Sequence, residues 1–249
     1  MYYVYMPSGT RQFEIGGMYH VFNRGYDKRQ IYLDDNDYLR FIECLFYFNT
    51  QDEVNIKIRD VRQVESFKGF SRTFLRNPKQ AKKWKPLVEL IAFTLMPNHY
   101  HLIVREIVFG GISLFMQRMG NGYTGYFNMK YNRGGTGGIF QSRYKSVHID
   151  NDAQLMNIFV YVQTNPVELK ESGWKDLKVK DPRGAVDWLE SYWQSSYLDY
   201  IGLGNFPNVT QRDFFLELFG SEKNCKAAVE DWIKFKARNA ELDPKMILE

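Results

Sequence analysis

Apolar and polar positions fall into a readable order along the first two thirds of the chain. Gly17 to Asn23 (GMYHVFN) is a short β-branched and aromatic run closed by Arg24 and Gly25, and it predicts a strand. The acidic stretch Asp34 to Asp37 offers helix caps ahead of Leu39, Ile42, Leu45 and Phe46, which recur at helical spacing. Val88 to Met96 and His99 to Arg105 read as two strands joined through Pro97 and Asn98, a hairpin pattern. Residues 110–133 fit a helix with Leu114, Phe115, Met119, Tyr126 and Phe127 available for packing, although Gly120 and Gly122 weaken it. A glycine-rich loop at 134–138 precedes a strand over Ile139 to Ile149. Asp150 or Asp152 then caps a helix that Pro166 limits.

The resulting order, β-α-β-β-α-β-α, predicts an α+β fold: a ferredoxin-like split βαβ antiparallel sheet with helices on one face. Residues 1–170 form the main domain, interrupted at about 50–87 by a basic insert with Pro78 and Pro86. Residues 171–249 carry helical patterns at 182–201, 211–219 and 221–239, a helical C-terminal extension.

Charge sharpens this picture. The net charge of +4 is modest, yet residues 57–85 hold ten Lys or Arg against Asp60 and Glu65 alone. Residues 107–149 hold five basic residues and no acid. Positive charge gathered in two zones suits a phosphate backbone, and equally suits a solvated basic face. The 17 Tyr could pack a core or stack on unpaired bases. Cys44 and Cys225 lack metal-site spacing, so a reducing interior is expected. Neither a signal peptide nor a membrane span is expected, which points to a cytoplasmic, nucleoid-associated protein.

Two features carry chemistry. His99 and His101 lie one residue apart on a predicted strand, so they share a face with Cα atoms roughly 7 Å apart and could converge on one cation. Two hydrogen-bonded strand histidines would look the same. In the helix DAQLMNIFVYVQTNP, Leu155, Ile158, Phe159 and Val162 define the buried stripe, and Tyr161 and Asn165 flank it one turn apart. Tyr161 taken alone reads equally well as a packing residue at the boundary. Taken together, the residues describe a site. Tyr161 is the nucleophile, His99 and His101 hold a divalent cation, and Asn165 is the third ligand. Amide and phosphate oxygens favour Mg²⁺ or Mn²⁺ over zinc. Arg24, Arg143 and Lys145 are the candidate DNA-phosphate contacts. His20 is not counted as a ligand, and on the first strand it has only stacking or hydrogen bonding nearby to do.

Four segments in order resemble the IS200-like single-tyrosine (Y1) HUH transposases, especially their REP-associated branch. They are YHVFNRGYDKRQIYLDDNDYLRF at 19–41, LMPNHYHLIV at 95–104, FQSRYKSV at 140–147 and YVQTNPVEL at 161–169. A weaker echo is WQSSYLDYIG at 193–202. The resemblance implies that His99 and His101 are the HUH pair and Tyr161 the nucleophile. It also implies a metal-binding endonuclease and strand transferase, working in DNA transposition and recombination through a 5′-phosphotyrosine. Its partner would be single-stranded DNA beside a hairpin, REP-like or from an insertion end, with the protein a monomer or homodimer. Two departures stand out: Gln163 occupies a position where the family often has His, and Asn165 one where insertion-sequence members usually have Gln.

Two other readings compete. The first is a catalytically silent hairpin DNA- or RNA-binding protein descended from a transposase, although both histidines, the tyrosine and the amide remain. The second is an unrelated HxH phosphoesterase. The HIT version of it needs a third histidine at position 103, where the chain has Ile.

Overall fold

The computed structural model describes residues 13–53, 85–134 and 137–238. Most of the expected basic insert lies outside these residues. Its two ends meet, with Gln51 N–H donating to the Lys85 carbonyl at 2.8 Å. Asn49 also caps the start of the next strand, its Oδ1 accepting from the backbone of Leu87 and Val88.

Four strands form one antiparallel sheet: β1 (Met18–Arg24), β2 (Val88–Met96), β3 (His99–Glu106) and β4 (Lys145–Ile149), in the order β2-β3-β1-β4. With α1 (Asp35–Tyr47) after β1 and α2 (Gly111–Lys130) after β3, this is the split βαβ arrangement expected from the sequence. Asp34 and Asp37 build a reciprocal capping box that starts α1. The buried carboxylate of Glu106 accepts from the backbone of Gly111 and Ile112 and so starts α2.

Strand alternation sends Val21, Tyr100, Leu102 and Val104 into a core with Phe41, Ile42 and Leu45 of α1 and Phe115, Met119 and Tyr123 of α2. The helices α1 and α2 therefore share one face. Helices are expected on one face only, yet the other face is covered as well. There α3 (Asp152–Thr164) packs Leu155, Phe159 and Val162 against Ile91, Ala92 and Ile103. The C-terminal elements enclose α3 from behind. These are α4 (Val167–Lys170), α5 (Pro182–Ser191), α6 (Tyr197–Tyr200), α7 (Asp213–Phe219) and α8 (Glu222–Arg238). Phe159 meets the rings of Tyr200, Phe215 and Phe219 at centroid distances of 4.7, 4.3 and 5.5 Å.

The extension also occupies the outer edge of β2. Tyr192 and Tyr200 donate their hydroxyls to the carbonyls of Leu95 and Ile91, both at 2.6 Å. Ser196 N–H donates to Phe93 O, and Gln211 exchanges two hydrogen bonds with Leu90. These groups satisfy an edge that would otherwise present unpaired main-chain atoms.

Two local expectations change. β4 starts at Lys145 rather than at Ile139, because residues 140–142 turn aside to bond the end of β1. Gln141 N–H donates to Arg24 O, and Asn23 Nδ2 donates to Ser142 O. The cap of α3 is Asn151, whose side chain accepts from Gln154 N, rather than either flanking aspartate.

Candidate functional site

Register places the chemistry on the α3 side of the sheet. His101 lies opposite Phe22, and His99 opposite Arg24. Lys145 of β4 lies opposite Phe22 from the other side. Directly paired residues project to the same face, so His20, Phe22, Arg24, His99, His101 and Lys145 form one continuous patch. Gly25 ends β1 where a side chain has no room. A Cβ there would stand 2.2 Å from the Arg29 carbonyl oxygen, so the chain can pass this point only as glycine.

The Tyr161 ring descends onto this patch from the last turn of α3. Its centroid is 5.6 Å from that of His101 and 6.0 Å from that of His20, edge-on to both. His99 and His101 are 5.1 Å apart. The structure thus brings together His99, His101 and Tyr161, residues that the sequence reading had grouped. It adds His20, whose Nε2 lies 2.8 Å from His101 Nδ1 with the two rings nearly parallel. The expectation of a nearby hydrogen bond or stack for His20 holds. Its direct contact with His101 was not legible, because strand pairing is not written in the sequence.

Asn165 is buried at the C-terminal cap of α3 and donates from Nδ2 to the Tyr161 carbonyl at 3.0 Å. Gln163 faces the extension instead. It is fully buried, and its Nε2 donates to Ser196 Oγ at 2.7 Å.

Burial governs the electrostatics. It lowers the His20 pKa to about 4. His99 also falls to about 4, through burial first and then the positive charges of Arg24 and Lys175. His101 is held well below the usual histidine range by burial, then by its two histidine neighbours and the same cations. All three imidazoles are therefore neutral at physiological pH, with ring lone pairs available to an electrophile. Among the described residues no group of three or more His, Cys, Asp or Glu is disposed to hold a metal. The nitrogen donors gathered here are the imidazoles of His20, His99 and His101, and Asn165 lies one helical turn beyond Tyr161.

Basic residues border the cluster. Arg24, Arg143 and Lys145 are exposed, and the bonds between residues 141–142 and the end of β1 gather them at the His99 end of the sheet. Lys175 arrives from a short helical turn in the extension (Trp174–Asp176), ion-paired to Glu168 at 2.8 Å. Nothing in the sequence pattern marked Lys175, which reaches the site only because the extension folds back over α3.

Residues 62–165 match the family model described as "Transposase IS200 like". No curated protein sequence matches the chain. A solved structure, described as the REP-associated tyrosine transposase bound to a REP hairpin, aligns with 84% of this chain and 93% of its own. That alignment has 18% sequence identity and a TM-score of 0.44. The matched stretch includes the two strand histidines, Tyr161 and Asn165.

Proposed function

We propose that this protein is a divalent-metal-dependent, single-strand DNA endonuclease and strand transferase that acts beside DNA hairpins through a 5′-phosphotyrosine at Tyr161. One observation carries the reading: a tyrosine ring set edge-on, 5.6 Å from the second imidazole of a His-Tyr-His strand. The matched family model is a transposase family, which supports it.

The donor set suits a cation such as Mg²⁺ or Mn²⁺. It consists of the neutral imidazoles of His99 and His101 with the Asn165 amide oxygen, and the patch has no competing acid of its own. Bound there, the ion would polarise the scissile phosphodiester and so assist a phenol that is a weak nucleophile at neutral pH. Tyr161 Oη forms the new bond to phosphorus, the bond to the 3′ oxygen breaks, and the phenolic proton ends on that oxygen. The product is a free 3′ hydroxyl and a phosphotyrosine that retains the energy for rejoining. Arg24, Arg143 and Lys145 hold flanking phosphates, and Lys175 adds charge at the same end. The half-exposed Phe22 ring, between His101 and Lys145, offers an unpaired base a stacking surface.

Residues 1–170 act as the nuclease domain in this reading, with residues 171–249 as its C-terminal extension, whose described part supports α3. Among the described residues no helix is long and apolar enough to cross a membrane.

The test is a denaturing gel of labelled hairpin DNA with Mn²⁺, comparing wild type with Tyr161→Phe. Label bound covalently to the wild-type protein alone is the expected result. Cleavage by both proteins would assign the attack to water. Binding without cleavage by either would favour the silent hairpin-binding protein.

A further inference from the structure

An imidazole that gives one ring nitrogen to a cation must carry its proton on the other, so whatever bonds that second nitrogen decides whether the first is usable. For His99 the structure answers directly. Its Nδ1 lies 2.6 Å from the amide oxygen of Asn98, an atom that can only accept. The proton of His99 is therefore on Nδ1, and its lone pair is on Nε2.

For His101 the partner is another histidine. Its Nδ1 and the Nε2 of His20 are 2.8 Å apart, so one proton lies between two nitrogens that are equally able to hold it. If His20 keeps the proton, His101 accepts through Nδ1, carries its own proton on Nε2 and offers no lone pair to a cation. If His101 keeps it, Nε2 is free, and the arrangement repeats the one imposed on His99 by Asn98. Both rings are buried and nearly parallel, and the Tyr161 ring closes over the pair. Water is poorly placed to substitute for either nitrogen.

We propose that His20 is a positioning residue: its Nε2 accepts the Nδ1 proton of His101 and so holds the His101 Nε2 lone pair ready for the cation. Its consequence for metal binding rests on the proposed function, whereas the proton arrangement itself does not. His20 belongs to β1, two strand positions from Arg24's neighbour Phe22 and diagonal to His101. The first strand thereby sets the chemical form of a ligand on the third. Asn98 and His20 do the same task by different means, one with an amide and one with a ring. A residue that merely filled this space could be replaced by another flat ring without effect.

The experiment uses the full-length protein, labelled with ¹⁵N-histidine and free of metal. Two-bond proton–nitrogen spectra at neutral pH report which nitrogen of each ring is protonated, and Mn²⁺ titration followed by electron paramagnetic resonance reports affinity. The wild-type His101 is expected with its proton on Nδ1, and His20 likewise on its own Nδ1. In His20→Phe, His101 should become a mixture of both forms, with Mn²⁺ affinity falling on the order of 10–100-fold. His20→Gln supplies an amide oxygen as acceptor and should restore the single form and much of the affinity. A wild-type His101 protonated on Nε2 would overturn the proposal, as would equal Mn²⁺ affinity in wild type and His20→Phe. If the phenylalanine variant does not fold, the wild-type spectrum and the glutamine variant decide. Absence of Mn²⁺ binding by wild-type protein would sink the metal-dependent function and leave the proton arrangement to be judged on its spectra.

Discussion

The side chain of Asn165 is tied to Tyr161 one turn before it: its Nδ2 donates to the main-chain carbonyl of Tyr161 at 3.0 Å. This bond closes the last turn of α3 and fixes which end of the amide is turned away from the helix. If the free oxygen completes a cation site, Asn165→Ala should weaken Mn²⁺-dependent adduct formation by about 10–100-fold while leaving hairpin affinity nearly unchanged. Asn165→Asp keeps an oxygen but sets a carboxylate against the Tyr161 carbonyl, and it should recover only part of the loss. Single-turnover adduct yields with a parallel binding titration separate these effects. Full activity in Asn165→Ala would remove the residue from the site.

Basic residues at the His99 end of the sheet should reveal themselves through salt. Replacing Arg24, Arg143 or Lys145 by alanine removes about one phosphate contact each, so the slope of log affinity against log salt should flatten by roughly 0.7 for single-stranded DNA. Hairpin binding between low and moderate salt provides the measurement. A uniform slope across all three variants and wild type would mean that the DNA path runs elsewhere.

Two glycines in α2 should respond oppositely to the same substitution. A Cβ at Gly120 meets nothing within 4 Å, so Gly120→Ala gains helix propensity of about 1 kcal/mol and should raise Tm by roughly 2–4 °C. At Gly122 a Cβ would lie 2.3 Å from the ring of buried Phe48. Gly122→Ala should lower Tm, because overpacking of about 1–3 kcal/mol exceeds the propensity gain. Calorimetric scans of the two variants check the pair, and a shift in the same direction would contradict the packing.

Lys236 supplies a pH dependence. Its ammonium is buried 4.1 Å from the Trp174 ring centroid and donates to the Trp174 carbonyl, with the Trp232 ring at 5.6 Å. Burial lowers its pKa from 10.5 to about 8, with Glu168 partly opposing. Between about pH 8 and 10.5 the folded protein has released this proton and the unfolded chain has not, so this lysine makes stability rise with pH in that window. Below about pH 8 the buried charge is a constant cost. Urea midpoints from pH 7 to 9.5 should climb relative to those of Lys236→Met, which lacks the term. Parallel curves would show that the lysine is not penalised.

Much of the core was legible because its signals are local. Alternation in HYHLIVR placed His99 and His101 on one face, and helical spacing placed Tyr161 and Asn165 on one flank. What escaped depends on contacts between distant segments. His20 joins His101 across the β1–β3 ladder, and Lys175 reaches the site with the extension. Gln163 is buried because Ser196 waits behind α3, a second packing surface that the one-sided apolar stripe of that helix does not announce. Helices are expected on one face only for the same reason: no periodicity within residues 1–170 reveals that α3 packs over the second face of the sheet. Residues 139–144 have strand-like composition, yet their hydrogen bonds go to the end of β1 rather than along a ladder.

A sheet can grow only where main-chain groups stand unpaired. The extension's tyrosines, Ser196 and Gln211 occupy the β2 side, whereas among the described residues no strand pairs with the outer side of β4. The clasp at β2 thus closes that edge to strand addition as well as supporting the helix that bears Tyr161.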